Sequence, residues 1–141
     1  MKTYIIVLNI IFLFFSNAFA EKIEISRCST DGKFNKETFI DRKFVIDEER
    51  NVVSFISIYQ DSYLKNERKK LIKENRSDLL NLLTKIVTHS HPIKYSGSEY
   101  VEAVEKNPVK GGDWGYIVNL KNKTVEIVGG ITQPPTIWKC K

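Results

Sequence analysis

The chain is poor in the residues that most often carry chemistry. Its 141 residues include only two cysteines, two histidines and one methionine. Neither cysteine lies in a C-x-x-C pair or beside a histidine, which argues against a catalytic thiol. No G-x-S-x-G, phosphate-binding P-loop or dinucleotide-binding glycine pattern occurs. Internal repeats and low-complexity tracts are also missing. After residue 20 no apolar run approaches the ~20 residues that a membrane-spanning helix needs. The net charge of +5 is too small to indicate a nucleic-acid partner.

The first twenty residues are of a different kind. Lys2 gives a positive start, Tyr4 to Phe15 form an apolar run broken only by Asn9, and Ala18-Phe19-Ala20 supplies the small-x-small pattern of a signal-peptidase site. Residues 1–20 therefore read as a cleaved signal peptide. Glu21, rather than a cysteine, follows the expected cut, so no lipoprotein acylation is expected. Residues 21–141 suit one small globular domain, periplasmic or secreted. Export changes the meaning of Cys28 and Cys140. In an oxidising compartment they are expected to form a disulfide, which would bring the two ends of the domain side by side.

Hydrophobic patterning predicts an α+β fold: mainly antiparallel sheet or a small open barrel, with one or two amphipathic helices inserted at about 62–88. A strand is expected over Ile23–Cys28. Lys43–Asp47 and Val52–Ile58 read as a hairpin around Glu48–Asn51, with Asn51 left-handed. Leu64, Leu71, Ile72, Leu79, Leu82, Leu83 and Ile86 recur at helical spacing, suggesting helices near 62–75 and 78–88. Pro92 would end the second. Ile93–Tyr95 and Glu99–Val104 read as short strands, and Asn107–Gly115 as a glycine-rich loop. A two-residue turn at Asn122-Lys123 would join Tyr116–Lys121 to Thr124–Val128, pairing Leu120 with Val125. In that register Tyr116, Val118, Leu120, Val125 and Ile127 share a buried face. A last strand, Thr136–Cys140, carries Trp138 into the core.

The candidate functional residues fall into three groups. His89 and His91 are the only histidines, placed in a connector after the helix. On a strand they would share a face and could hold a metal ion if Glu99, Asp113 or Glu48 supplied a third ligand. Trp114 in the glycine-rich loop, beside Asp113, either folds back over a sheet end or stacks on a sugar or fills a partner's pocket. Lys65, Arg68, Lys69, Lys70, Lys73 and Arg76, against Glu67 and Glu74, make the 62–75 helix basic. That helix either covers a sheet with its charges solvated or rests on an anionic surface.

Ser96-Gly97-Ser98-Glu99-Tyr100, followed by Lys110-Gly111-Gly112-Asp113, resembles the serine-glycine-tyrosine and lysine-glycine-aspartate elements of periplasmic inhibitors of C-type lysozyme. The resemblance implies a mostly β barrel tied by a disulfide, with Ser96 and Lys110 on loops that enter the lysozyme cleft. In that family the lysine, glycine and aspartate are contiguous, whereas Gly112 intervenes here, and the 61–88 segment has no counterpart. Taken together, the sequence points to an exported, non-catalytic binding or envelope-accessory protein. Its partner would be a protein or polysaccharide of the cell envelope, met through Ser96, Tyr100, Lys110, Asp113 and Trp114, with no cofactor implied. The alternatives are a lysozyme inhibitor and a metal-assisted hydrolase using His89 and His91.

Overall fold

The computed structural model describes residues 22–107, 112–129 and 135–141. The expected signal peptide and Lys110 lie outside them. Among the described residues the order is β1 (Ile23–Ile25), β2 (Phe39–Asp47), β3 (Val52–Tyr59), α1 (Asp61–Lys73), a 3₁₀ helix (Ser77–Leu82), β4 (Ile86–Pro92), β5 (Tyr95–Ser96), β6 (Tyr100–Asn107), β7 (Gly112–Asn119), β8 (Thr124–Gly129) and β9 (Thr136–Lys139). Every strand pairs antiparallel with its neighbour in sequence. β1–β4 form one sheet and β5–β9 the other. The fold is thus α+β and mainly antiparallel.

The two sheets bury their facing residues against each other. Phe44, Ile46 and Val53 from the first sheet meet Val101, Ala103, Tyr116, Val118, Val125 and Trp138 from the second. Phe44 is fully buried. It stacks on Phe55 at 4.8 Å and takes the edges of Tyr116 and Trp138 at 5.2 and 6.4 Å. Such aromatic packing adds to area burial because ring edges and faces carry opposite partial charge.

The sheets are also tied at one margin. Ser29 and Lys139 exchange backbone hydrogen bonds of 3.0 and 2.9 Å, and Cys28 is bonded to Cys140 across a separation of 112 residues. The ends of the described chain therefore lie together, as the cysteine reading requires.

The first hairpin forms as expected. Asp47 pairs with Val52, and Asn51 takes a φ of 56°. The β7–β8 hairpin keeps its expected buried face but not its register. Val125 pairs with Val118 rather than Leu120. Asn119 explains the difference: its Oδ1 accepts from the backbone N–H groups of Lys121 and Asn122, both at 3.1 Å. Lys123 turns left-handed at φ 53°, giving a four-residue turn. A shift of two residues preserves the side-chain parity, so Tyr116, Val118, Val125 and Ile127 still face inward.

Two expectations are overturned. Residues 86–88 are strand, not helix; the β-branched run Ile86-Val87-Thr88 prefers the pleated surface beside β3. The helical spacing of Leu82, Leu83 and Ile86 was coincidental with a 3₁₀ turn running into a strand. Likewise, Gly112–Gly115 begins β7 rather than belonging to a loop. Gly115 marks a close approach, not a turn. Its φ is 147°, and a Cβ there would sit 2.0 Å from the Ala103 carbonyl oxygen on β6.

Candidate functional site

The histidines occupy the edge strand β4, not a connector. His89 lies opposite Phe55 and His91 opposite Val53. Residues paired directly across antiparallel strands share a face, so both imidazoles point to the side on which Phe55 and Val53 pack. The second sheet supplies the opposite wall by the same parity. Glu105 pairs with Trp114, and Ala103 with Tyr116. Because Ala103 and Tyr116 are buried inward, Glu105 and Trp114, two residues along, also face inward.

These two walls enclose a cleft of about 260 Å³ lined by His89, His91, Trp114, Tyr116 and Ile127. His91 Nδ1 lies 2.8 Å from Glu105 Oε2, closing one side of the cleft between β4 and β6. With Nδ1 committed to the carboxylate, Nε2 is the ring atom left for a ligand. The His91 ring also stands edge-on to Tyr116 at 5.0 Å. The Tyr116 hydroxyl reaches toward the His89 carbonyl oxygen at 3.5 Å. Burial pushes Tyr116 up to about 12, so the phenol keeps its proton.

Trp114 is 48% exposed. It lies against Gly129, opposite it on β8; a Cβ at 129 would come 3.5 Å from indole Cζ3. One side of the indole is thus backed by the strand while nearly half of the side chain stays open. The sequence marks Gly129 only as a chain breaker beside Gly130, and it does not single out Glu105. Their roles depend on pairing across β6, β7 and β8, and only the alternation of each strand could have hinted at it.

The remaining candidates do not join this cleft. Asp113 alternates with Trp114 and so faces the outside of the sheet, as does Tyr100, which pairs with Asn119. Tyr100 stacks on Tyr95 at 4.8 Å. The Ser96 hydroxyl donates to Glu48 Oε1 at 2.6 Å, tying β5 to the β2–β3 turn. β6 runs from Tyr100 to Asn107, so those ends are separated by about 24 Å at ~3.4 Å per residue. Ser96 and Tyr100 thus lie at one end of the second sheet and Trp114 near the other. Among the described residues no cluster of three or more His, Cys, Asp or Glu could hold a metal ion. Glu99, Asp113 and Glu48 do not complete a set with the histidines.

The basic helix lies elsewhere again. α1 has no buried residue and packs mainly on the 3₁₀ helix rather than over a sheet. A separate shallow cleft there is lined by Tyr59, Tyr63, Leu64, Glu67 and Leu82. No helix among the described residues is long and apolar enough to cross a membrane. No family model matches the chain, and neither a curated protein nor a solved structure matches it.

Proposed function

We propose that this chain is an exported binding protein that takes a pyranose ring of an envelope polysaccharide into the cleft between its two sheets. The observation that carries this reading is the meeting of Trp114 with His89 and His91, residues from different sheets, in one cleft. A half-open indole offers an apolar face to the C–H side of a sugar ring. His91 Nε2, with Glu105 holding the ring in place, offers a hydrogen-bonding group to hydroxyls at the ring edge. The volume suits one ring rather than a long chain.

Binding is favoured over catalysis by the lining itself. The His91–Glu105 pair could move a proton, but among the described residues no serine or cysteine lines the cleft beside it. Export rests on Lys2, the Tyr4–Phe15 run and Ala18-Phe19-Ala20, and the Cys28–Cys140 disulfide fits an oxidising compartment. A lysozyme inhibitor would need Ser96 and Lys110 to enter a single cleft. Ser96 is held by Glu48 at the Tyr100 end of β6, and Lys110 lies outside the described residues.

The test is a fluorescence titration with soluble N-acetylhexosamine oligosaccharides. Trp114 and Trp138 are the only tryptophans, and Trp138 is buried. Saturable quenching is expected in the native sequence, and it should vanish in Trp114→Ala while the thermal midpoint holds. His89→Ala should weaken the same titration. Excess protein should leave the activity of C-type lysozyme unchanged. Saturable binding that survives in Trp114→Ala, or no binding to any of these sugars, would overturn the reading.

A further inference from the structure

The two faces of α1 differ in a way that net charge conceals. Leu64 and Leu71 are half-buried toward the 3₁₀ helix, and Tyr63 stacks on Tyr59 at 5.6 Å. Glu67 and Glu74 stand four residues before and three after Leu71, so both acids belong to that packed side. Glu67 lines the cleft there with Tyr63 and Leu64. It therefore does not interrupt the basic surface.

The opposite face is mainly cationic around one apolar residue; its one acid, Asp61 in the first turn, is paired with Lys85 at 3.0 Å. Ile72 is 53% exposed. Its surface neighbours at i−4 and i−3 are Arg68 and Lys69, with Lys65 one turn further and Lys73 adjacent. All four cations are exposed. Among the described residues none of them forms an ion pair.

We infer that this face of α1 docks the protein on an anionic lipid surface, with Ile72 entering the headgroup layer between Arg68 and Lys69. Charge complementarity selects an anionic partner, since four unpaired cations share one helical face, Glu67 and Glu74 lie on the other, and Asp61 at the start of the cationic face is already neutralised by Lys85. The exposed isoleucine at its centre selects lipid over a hydrated polyanion. A bilayer interface accepts apolar side chains and cations together, whereas a sulfated or phosphorylated polysaccharide offers nothing to the isoleucine. The face is separate from the cleft holding Trp114, so this inference stands independently of sugar binding.

The experiment uses residues 21–141 with the disulfide formed. Co-sedimentation is measured with vesicles of equimolar phosphatidylglycerol and phosphatidylcholine, against phosphatidylcholine alone. Binding is expected only to the anionic vesicles and should fall steeply with added sodium chloride. Arg68→Glu/Lys69→Glu should weaken partitioning by at least about tenfold, since each cation near such a surface contributes about fivefold. Ile72→Ser keeps the charge and should still weaken it several-fold. All three sites are exposed, so circular dichroism and thermal melting should match the native protein. Equal binding to neutral vesicles, or an unaffected Arg68→Glu/Lys69→Glu variant, would overturn the inference. So would an unaffected Ile72→Ser variant whose vesicle binding is fully competed by dextran sulfate, which would indicate a polyanion site instead.

Discussion

Asp47 shows how a single side chain can organise a turn. Its Oδ1 accepts from the backbone N–H of Arg50 at 3.1 Å, while Oδ2 meets Lys22 Nζ at 3.1 Å and Arg50 Nε at 3.7 Å. The Arg50 N–H, and then the Lys22 and Arg50 charges, hold the carboxyl below its ordinary value against a smaller opposing effect of burial. A carboxylate with a lowered native pKa binds protons more readily in the unfolded chain. Its stabilisation is therefore complete above the unfolded value, near 3.9, and is lost as pH falls through the native one. Asp47→Asn should be less stable than the native sequence at neutral pH. The gap should begin to close near about pH 4 and disappear at lower pH. Denaturant melts across that range would check this, and a gap independent of pH would mean the carboxylate charge is not responsible. Arg42 is the opposite case. Its guanidinium lies 4.3 Å over Phe39 and 4.1 Å over Trp138, and burial lowers its pKa. Its buried Nε has no hydrogen-bond partner among the described residues, so stacking on two rings is what compensates the lost water.

At the level of elements, the β7 strand depends on a glycine that neither a turn nor a cap explains. A methyl group at 115 would overlap the Ala103 carbonyl oxygen, and the φ of 147° is one that side chains rarely adopt. Gly115→Ala should therefore cost about 2–4 kcal/mol, the range for core backbone strain that must be relieved by moving a strand. Urea denaturation would read this directly; a loss below about 0.5 kcal/mol, as at an ordinary surface site, would show that β6 yields freely. Asn119→Ala should cost about 1 kcal/mol by releasing the two N–H groups of the β7–β8 turn. The same elements show what could be read from the chain. The β2–β3 hairpin was legible because Asn51 and flanking alternation agree. The inward set Tyr116, Val118, Val125 and Ile127 survived a register error because parity is insensitive to a shift of two. β4 was not legible: Leu82, Leu83 and Ile86 mimic a helical stripe, and the contacts with β3 that make residues 86–92 a strand are distant in sequence. Misplacing β4 hid the inward direction of His89 and His91. Reading residues 112–115 as loop hid that of Trp114. The cleft could not be assembled without both strands, nor could Glu105 be recognised as the partner of His91.

The whole molecule is a meander whose strands pair only with sequence neighbours, so its closure depends on what joins the first sheet to the second. On one side the join is short-range: β4 runs into β5 through Ile93 and Lys94, whose N–H groups reach Asn51 and Glu102 carbonyls. His91 and Glu105 reinforce that side. On the other side it is long-range, made by the Ser29–Lys139 backbone pair and the Cys28–Cys140 bond. A cross-link spanning 112 residues removes much of the freedom of the unfolded chain. In the chain-entropy account it contributes about 4–5 kcal/mol, comparable to much of a small domain's stability of ~5–15 kcal/mol. Cys28→Ala/Cys140→Ala should lose stability by about that amount. The loss should not be uniform. β9 pairs only with β8 within its sheet and carries Trp138 against Phe44 and Phe55, so amide exchange should accelerate first in β9 and β1. The β2–β3 hairpin should stay protected longest, because its pairing is local and continuous. The cleft on the opposite join should keep the proposed sugar affinity under conditions where the double variant is still folded. If affinity and β9 protection instead fall together, the two joins are one cooperative unit, and the disulfide then positions Trp114 and the histidines as well as closing the chain.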